Sequence, residues 1–99
     1  MKICVGIVLF NPEIERLNEN IEHIRKQVPM LILVDNGSSN LEDVKSLICD
    51  VPNIILLENG KNLGIAQALN RILRKAQKEH YEWVLTLDQD SVATDGLID

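Results

Sequence analysis

The chain has 99 residues, of which 45% are hydrophobic and 25% are charged, and both values are typical of one soluble globular domain. Its formal net charge is −5, and its ten lysine and arginine residues are spread along the sequence without a basic patch, which argues against a nucleic acid partner. No apolar run approaches the length of about 18 residues that a membrane-spanning helix needs, so no membrane-spanning helix is expected.

The first half of the chain alternates apolar runs with amphipathic segments. Ile3 to Leu9 predicts a strand covered on both faces, and Leu31 to Val34 predicts a second strand. Asn11 is expected to cap the intervening helix, which Pro29 ends. The apolar stripe of that helix comprises Ile14, Leu17, Ile21, Ile24 and Val28. A turn cluster then leads to a shorter helix whose inner face comprises Leu41, Val44, Leu47 and Ile48.

The second half repeats the alternation. Ile54 to Leu57 and Trp83 to Leu87 predict two further strands, separated by a helix from Gly64 to about Lys78. Its expected inward residues are Ile65, Leu69, Ile72, Leu73 and Ala76. The order βαβαβαβ predicts an α/β fold, a three-layer α/β/α arrangement with a mostly parallel, Rossmann-like sheet.

Two further features concern the state of the protein. Cys4 and Cys49 fit no metal-ligand spacing, and two reduced, buried thiols predict a cytoplasmic protein. The last residues, from Ser91 to Asp99, read as the beginning of an unfinished helix, so residues 1–99 are interpreted as a single domain truncated at its C-terminus. An edge strand left uncovered by the truncation invites self-association, and a homodimer is expected.

Ligands of open α/β sheets bind at the carboxyl ends of the strands. Here those ends carry Asn11, the turn beginning at Asp35, the turn from Asn59 to Asn62, and Asp88-Gln89-Asp90. The edge therefore collects three carboxylates and several amides. The sequence has no glycine-rich dinucleotide fingerprint, no Walker A motif and no Gly-x-Ser-x-Gly elbow, which disfavours those classes of site.

The Asp88-Gln89-Asp90 triplet is the sharpest feature. Its two carboxylates can both reach one divalent cation, and Mg²⁺ and Mn²⁺ prefer oxygen ligands shared with substrate phosphates. A metal there would stabilise a leaving diphosphate. The Asp-x-Asp pattern alone is more often a polar loop, but its position after a buried strand favours the metal site.

Two other candidates keep two interpretations each. The Asp35 carboxylate could accept a hydrogen bond from a pyrimidine N3–H or a ribose hydroxyl, or it could simply form the Asp-Asn-Gly turn. Asn62 and Gly64 could contact a ligand, although capping of the third helix is the better interpretation from the residues alone.

Four segments together resemble glycosyltransferase family 2, which has the GT-A fold, and look most similar to its bacterial rhamnosyltransferases. They are Ile7 to Pro12, Leu33 to Ser38, Asn62 to Asn70, and Trp83 to Ser91, in the order and at the spacing of the family. The match spans nearly the whole chain. It implies the nucleotide-diphospho-sugar-binding half of an inverting, metal-dependent enzyme of surface polysaccharide synthesis. The Asp-Gln-Asp-Ser form suggests dTDP-rhamnose as the donor.

The resemblance also implies roles. Asp35 would hold the base or ribose, Asp88 would face the ribose or a metal-bound water, and Asp90 would ligate Mg²⁺ or Mn²⁺. The first loop would line the base pocket largely through its backbone. The implied nucleotide-sugar-binding residues are Leu9, Phe10, Asn11, Asp35, Asn62, Gly64 and Asp88, with Asn70 behind them, and the implied metal ligands are Asp90 and Asp88.

The resemblance places the catalytic base and the acceptor site in the second half of the family's domain, so no catalytic residue is expected in this chain. The implied partners are a dTDP- or UDP-sugar and, in the full-length enzyme, a saccharide or lipid-linked acceptor, with a possible peripheral contact with the inner membrane face. One departure is Ile72, where the family often has glycine. The alternative function is a non-catalytic nucleotide-binding or regulatory domain. A phospho-acceptor domain is disfavoured, because Phe10-Asn11 and Glu58-Asn59 stand where its acidic residues are needed.

Overall fold

The computed structural model describes residues 3–89, which form four strands and three helices in strict alternation. The strands are β1 (Ile3–Leu9), β2 (Leu31–Asp35), β3 (Ile54–Glu58) and β4 (Trp83–Asp88), and the helices are α1 (Ile14–Ile24), α2 (Leu41–Ile48) and α3 (Ile65–Lys78). All strand pairs are parallel, in the order β3-β2-β1-β4. This confirms the predicted α/β fold.

The sheet separates two apolar clusters, because each strand is apolar on both faces. One cluster joins alternate residues of β1 and β2, such as Val5 and Leu33, to α1 and α2. The other joins Cys4, Ile32 and Val34 to α3. The helices therefore cover both faces, and the three-layer arrangement is confirmed. Burial raises the pKa of the Cys4 thiol, so this side chain stays protonated and packs as an apolar group.

The predicted ends of α1 are wrong at both sides. Glu13, not Asn11, is the residue that precedes the helix, because the Asn11 side chain is bound to the loop after β2. The helix ends at Ile24, well before Pro29, and Gln27 Nε2 donates to the carbonyl of His23 at 2.9 Å at this end. Residues 25–30, between the end of α1 and the start of β2, form the turn that leads the chain back into the sheet.

Two predictions of burial are also wrong. Ile65 and Leu73 of α3 are 62% and 48% exposed, whereas Ala68, Ile72 and Ala76 form the buried row at a spacing of four residues. This row is narrow because α3 lies close to the sheet. The second error concerns Cys49, which is exposed, so only one of the two thiols is buried.

Gly6 of β1 explains the close approach of α3. A methyl group added at Gly6 would lie 2.4 Å from Cγ2 of Ile72, so the missing side chain on the strand makes room for the isoleucine on the helix. Ile72 is fully buried there. The departure noted at Ile72 is thus matched by a glycine on the facing strand, and the two positions form one packing unit.

The Gly6→Ala variant is expected to lower the free energy of unfolding by about 1–3 kcal/mol, since it overpacks this contact. The additional change Ile72→Ala removes Cγ2 and Cδ1, the two atoms of Ile72 that lie nearest to the added methyl group. The double variant should therefore lose less stability than the sum of the two single variants, as measured by urea unfolding. Strict additivity in this double-mutant cycle would contradict the proposed packing unit.

No helix within residues 3–89 is both long enough and apolar enough to cross a membrane. In the described part of the sheet, β3 and β4 are the edge strands. Self-association through such an edge stays a prediction.

Candidate functional site

The carboxyl ends of the four strands meet along one edge of the sheet. In the strand register, Leu9 lies beside Asp35, Asp35 beside Glu58, and Asp88 beside Val8. The chain order reverses between β1 and β4, which is the point where open α/β sheets bind ligands. The backbones of Asp35 and Asp88 are two strand spacings apart, about 10 Å, so these residues can address two different parts of one ligand.

Asp35 is buried at the end of β2, with 1% of its surface exposed. Its Oδ2 atom accepts hydrogen bonds from the backbone N–H groups of Gly37 at 3.1 Å and Ser38 at 2.9 Å. This confirms the turn-forming interpretation. The other oxygen, Oδ1, is buried and has no hydrogen-bond partner among residues 3–89. A buried acceptor without a partner is costly, so Oδ1 is available to accept a hydrogen bond that the described residues do not supply.

Asn36 joins the turn after β2 to the loop between β3 and α3. Its Oδ1 accepts from Asn59 Nδ2 at 2.9 Å and from the N–H of Leu63 at 3.1 Å. Its Nδ2 donates to Asn62 Oδ1 at 3.1 Å and to the carbonyl of Gly64 at 3.4 Å. Its own N–H bonds the Leu9 carbonyl at 2.8 Å. The buried Asn36 side chain therefore joins two of the four loops at the edge, and the backbone N–H of Asn36 binds the end of β1.

Asn62 and Gly64 both shape the start of α3. Asn62 Oδ1 accepts from the N–H of Gly64 at 2.8 Å in addition to its bond with Asn36. Gly64 has a φ of 85°, which favours glycine, and it is the residue that precedes the helix. The N-cap residue of α3 is Gly64, so the helix has no cap hydrogen bond from the side chain of that residue. The Asn62 side chain is occupied by the protein, so its described role is to hold this loop.

The first loop is also largely engaged by the protein. Leu9 is fully buried, and the N–H of Asn11 donates to Ser38 Oγ at 2.8 Å. The Asn11 side chain accepts from the N–H of Ser39 at 2.7 Å. The Phe10 residue in this loop is exposed, since 45% of its surface is accessible. The Phe10 ring is thus an accessible feature of this loop, and the implied backbone contacts to a base stay a prediction.

Gln89, the central residue of the Asp-Gln-Asp triplet, fastens the end of β4 to the end of β1. Its Oε1 accepts from the N–H of Phe10 at 2.8 Å, and its Nε2 donates to the Phe10 carbonyl at 3.0 Å. Its own carbonyl accepts from Nδ2 of the buried Asn20 of α1 at 3.0 Å. These three bonds hold Gln89 at the end of β4, at the point where the chain order reverses.

The two implied metal ligands flank Gln89. Asp88 is the last residue of β4, and Asp90 lies outside the described residues. Within residues 3–89 there is no cluster of three histidine, cysteine or acidic residues that could hold a metal by itself. Two carboxylates that follow one another at this spacing in the sequence suit Mg²⁺ or Mn²⁺, which commonly take one or two protein carboxylates and complete their shell with water and phosphate. The donor set therefore fits the implied metal.

Sequence reasoning found the edge and its carboxylates but missed Asn36, Gln89 and Asn20. Their contacts join loops that are distant in the chain: Phe10 and Gln89 are 79 positions apart. The turn cluster after β2 signalled a loop, and nothing in its residues signalled which asparagine would be buried. Only the pairing of strands brings these partners together.

Comparisons with known proteins agree with this geometry. The sequence profile of glycosyl transferase family 2 matches residues 4–99. The chain is 33% identical over 89 residues to the dTDP-rhamnosyl transferase RfbF of Shigella flexneri, an alignment that covers 90% of this chain and 29% of that protein. The chain thus spans about three-tenths of the length of this relative. Since the profile covers nearly all of its residues, the chain belongs to glycosyl transferase family 2.

Proposed function

We propose that the chain binds the nucleotide-sugar donor of a metal-dependent, inverting glycosyltransferase, and that the donor is dTDP-rhamnose. Family membership supports a nucleotide-sugar donor and an acceptor, and the relative named as a dTDP-rhamnosyl transferase supports this sugar and base. The saccharide or lipid-linked acceptor and the catalytic base belong, in this proposal, to the remainder of the full-length enzyme.

The buried, unpartnered oxygen of Asp35 is the observation that carries the proposal. A thymine or uracil N3–H, or a ribose hydroxyl, is a donor that would satisfy Oδ1, while Oδ2 keeps its two backbone bonds. The exposed ring of Phe10 follows β1, the strand beside β2, and offers a face on which the base can stack. Base and ribose would therefore lie over the ends of β1 and β2.

The diphosphate would lie toward β4, at the Asp-Gln-Asp triplet. Asp88 and Asp90 would hold Mg²⁺ or Mn²⁺ there, which when bound supplies positive charge to the leaving diphosphate. Gln89, which stands between the two aspartates in the sequence, is held to Phe10 at the end of β1 by two hydrogen bonds. The protein offers few cations at this edge, since Lys61 is the only lysine or arginine among the described loop residues that follow the strands.

Calorimetric titration of the chain with dTDP and with UDP, each with and without Mn²⁺, tests the proposal. We expect binding that needs the metal and is tighter for dTDP. The Asp90→Ala variant should lose the metal-dependent part, while Asp50→Ala, at an exposed position after α2, should bind like the parent. Titration with MnCl₂ alone gives a readout independent of activity.

The outcomes separate the alternatives. Binding that is independent of metal and unchanged in Asp90→Ala would contradict the metal site and support a non-catalytic nucleotide-binding domain. No binding of either nucleotide by a folded sample, as judged by cooperative thermal unfolding, would contradict the donor site in this chain.

A further inference from the structure

The outer flank of α3 carries a cluster of four basic side chains. A surface cavity of about 320 Å³ is lined by Leu57 of β3 and by Arg71, Arg74, Lys75 and Lys78 of α3. We call it the basic groove. These are four of the ten lysine and arginine residues of a chain whose net charge is −5. The expectation that the basic residues are scattered is therefore wrong, since a helical spacing of three and four places them on one flank.

Only part of this charge is compensated within the protein. Arg71 donates to the carbonyl of Glu58 at 3.1 Å and to Oδ1 of Asn59. These bonds hold its guanidinium at the end of the groove that lies beside the end of β3. Lys75 forms an ion pair with Glu79 at 3.1 Å. The Glu58 carboxylate lies 3.5 Å from Lys45, on the far side of β3 from the groove.

The two remaining cations lack an acidic partner in the described part of the chain. Arg74 donates only to the carbonyl of Asn70 in its own helix, at 3.4 Å. Lys78 forms no ion pair with any carboxylate of residues 3–89. Both side chains are exposed, and both line the same cavity with positive charge. The favourable effect of the helix dipole on basic residues in the last turn accounts for Lys75 and Lys78, but not for Arg71 and Arg74.

The basic groove extends away from the proposed donor site. Arg71, beside the end of β3, lies nearest to that site, and Arg74 and Lys78 follow toward the other end of α3. The groove lies against β3, at one edge of the sheet, whereas the diphosphate of the donor is proposed to lie at β4, beyond β1. Three strand spacings separate β3 from β4, which is about 14 Å. A ligand in the groove would therefore be a second anion, bound independently of the metal.

We propose that the basic groove binds a phosphate-bearing anion. Guanidinium groups match phosphate oxygens with two parallel N–H donors, and an ammonium group adds a point charge. Arg71 and Lys78 are seven residues apart, about 10 Å along the helix, so the groove can contact more than one phosphate or a phosphate with its substituent. Leu57 provides an apolar wall for that substituent. The phosphate comes either from a soluble compound or from a lipid headgroup.

The test compares the parent chain with the Arg74→Gln/Lys78→Gln double variant. A matched control, Arg16→Gln/Lys26→Gln, removes two exposed cations from α1 and the turn after it, across the sheet, with the same change in net charge. Each protein is titrated with pyrophosphate at low ionic strength in the presence of EDTA, so that the metal-dependent donor site is silent. Each is also sedimented with vesicles of phosphatidylglycerol and phosphatidylcholine, and with vesicles of phosphatidylcholine alone.

We expect the Arg74→Gln/Lys78→Gln variant to bind roughly tenfold more weakly than the parent in at least one of the two assays, and the control to bind like the parent. Loss of pyrophosphate binding identifies a soluble ligand, and loss confined to phosphatidylglycerol vesicles identifies a lipid headgroup. Equal loss in both double variants would show a general charge effect and overturn the proposal. Absence of binding in both assays, with the parent folded by circular dichroism, would also overturn it. Neither outcome depends on dTDP binding, so failure of the donor proposal is recognised separately.

Discussion

Replacing Asp35 with asparagine is expected to abolish most nucleotide binding while leaving the fold intact. The asparagine oxygen keeps the two bonds from Gly37 and Ser38, but the atom that replaces Oδ1 becomes a donor and can no longer accept from the ligand. A hydrogen bond to a charged group contributes about 1.5–3 kcal/mol, so the affinity for dTDP should fall roughly 10- to 150-fold. Calorimetry in the presence of Mn²⁺ measures this change.

The stability of the Asp35→Asn variant is expected to change little, in contrast to its affinity for dTDP. Because a neutral amide costs less to bury than a carboxylate, the free energy of unfolding should differ from the parent value by less than about 1 kcal/mol. The matched control is Asp50→Asn, at an exposed position, which should change neither quantity. If Asp35→Asn bound dTDP as tightly as the parent, Asp35 would be a turn residue only, and the central argument for the donor site would fail.

The largest effect on stability is expected from Asn36→Ala. This change removes four partly buried side-chain hydrogen bonds, to Asn59, Asn62, Leu63 and Gly64. At about 1 kcal/mol or more for each, the loss should be on the order of 3–5 kcal/mol, a large part of the total stability of a domain of this size. Urea unfolding followed by tryptophan fluorescence measures it, using Trp83.

Two companions make the Asn36 experiment interpretable. Asn18→Ala, at an exposed position of α1, should change stability by less than about 0.5 kcal/mol. Asn59→Ala, which removes one donor from Asn36 and one acceptor from Arg71, should have an intermediate effect and remains measurable if Asn36→Ala does not fold. A loss below about 1 kcal/mol in Asn36→Ala would show that other contacts hold the turn after β2 to the loop between β3 and α3.

The sequence predicted the strands and their alternation with helices along the chain, because each strand is a short, continuous apolar run bounded by turn residues. β1, β3 and β4 match their predicted ranges to within one residue. The helix faces were less predictable. Ile65 and Leu73 fit a 3.6-residue period, yet they are exposed, since the contact of Ile72 with Gly6 determines which row of α3 meets the sheet.

The candidate site was predictable in its location and less so in its construction. Parallel strands necessarily collect the residues after their carboxyl ends, which placed Asp35 and the Asp-Gln-Asp triplet on one edge. The amide contacts of Asn36 and Gln89 depend on loops that are far apart in the chain, and no local pattern encodes them. The basic groove, in contrast, was recoverable: a helical projection of residues 71–78 places its four cations on one side.

The pairing of Gln89 with Phe10 has a consequence for how the Asp-Gln-Asp triplet tolerates change. A side-chain amide carries the same donor and acceptor as a peptide group, so Gln89 adds one rung to the β1–β4 ladder without using the backbone of the triplet. Asparagine is one methylene shorter, and glutamate lacks the donor, so neither can reproduce the rung. Asp88 itself pairs with Val8 in this ladder, so the rung formed by Gln89 extends the pairing of β1 and β4 by one residue beyond the end of the strand.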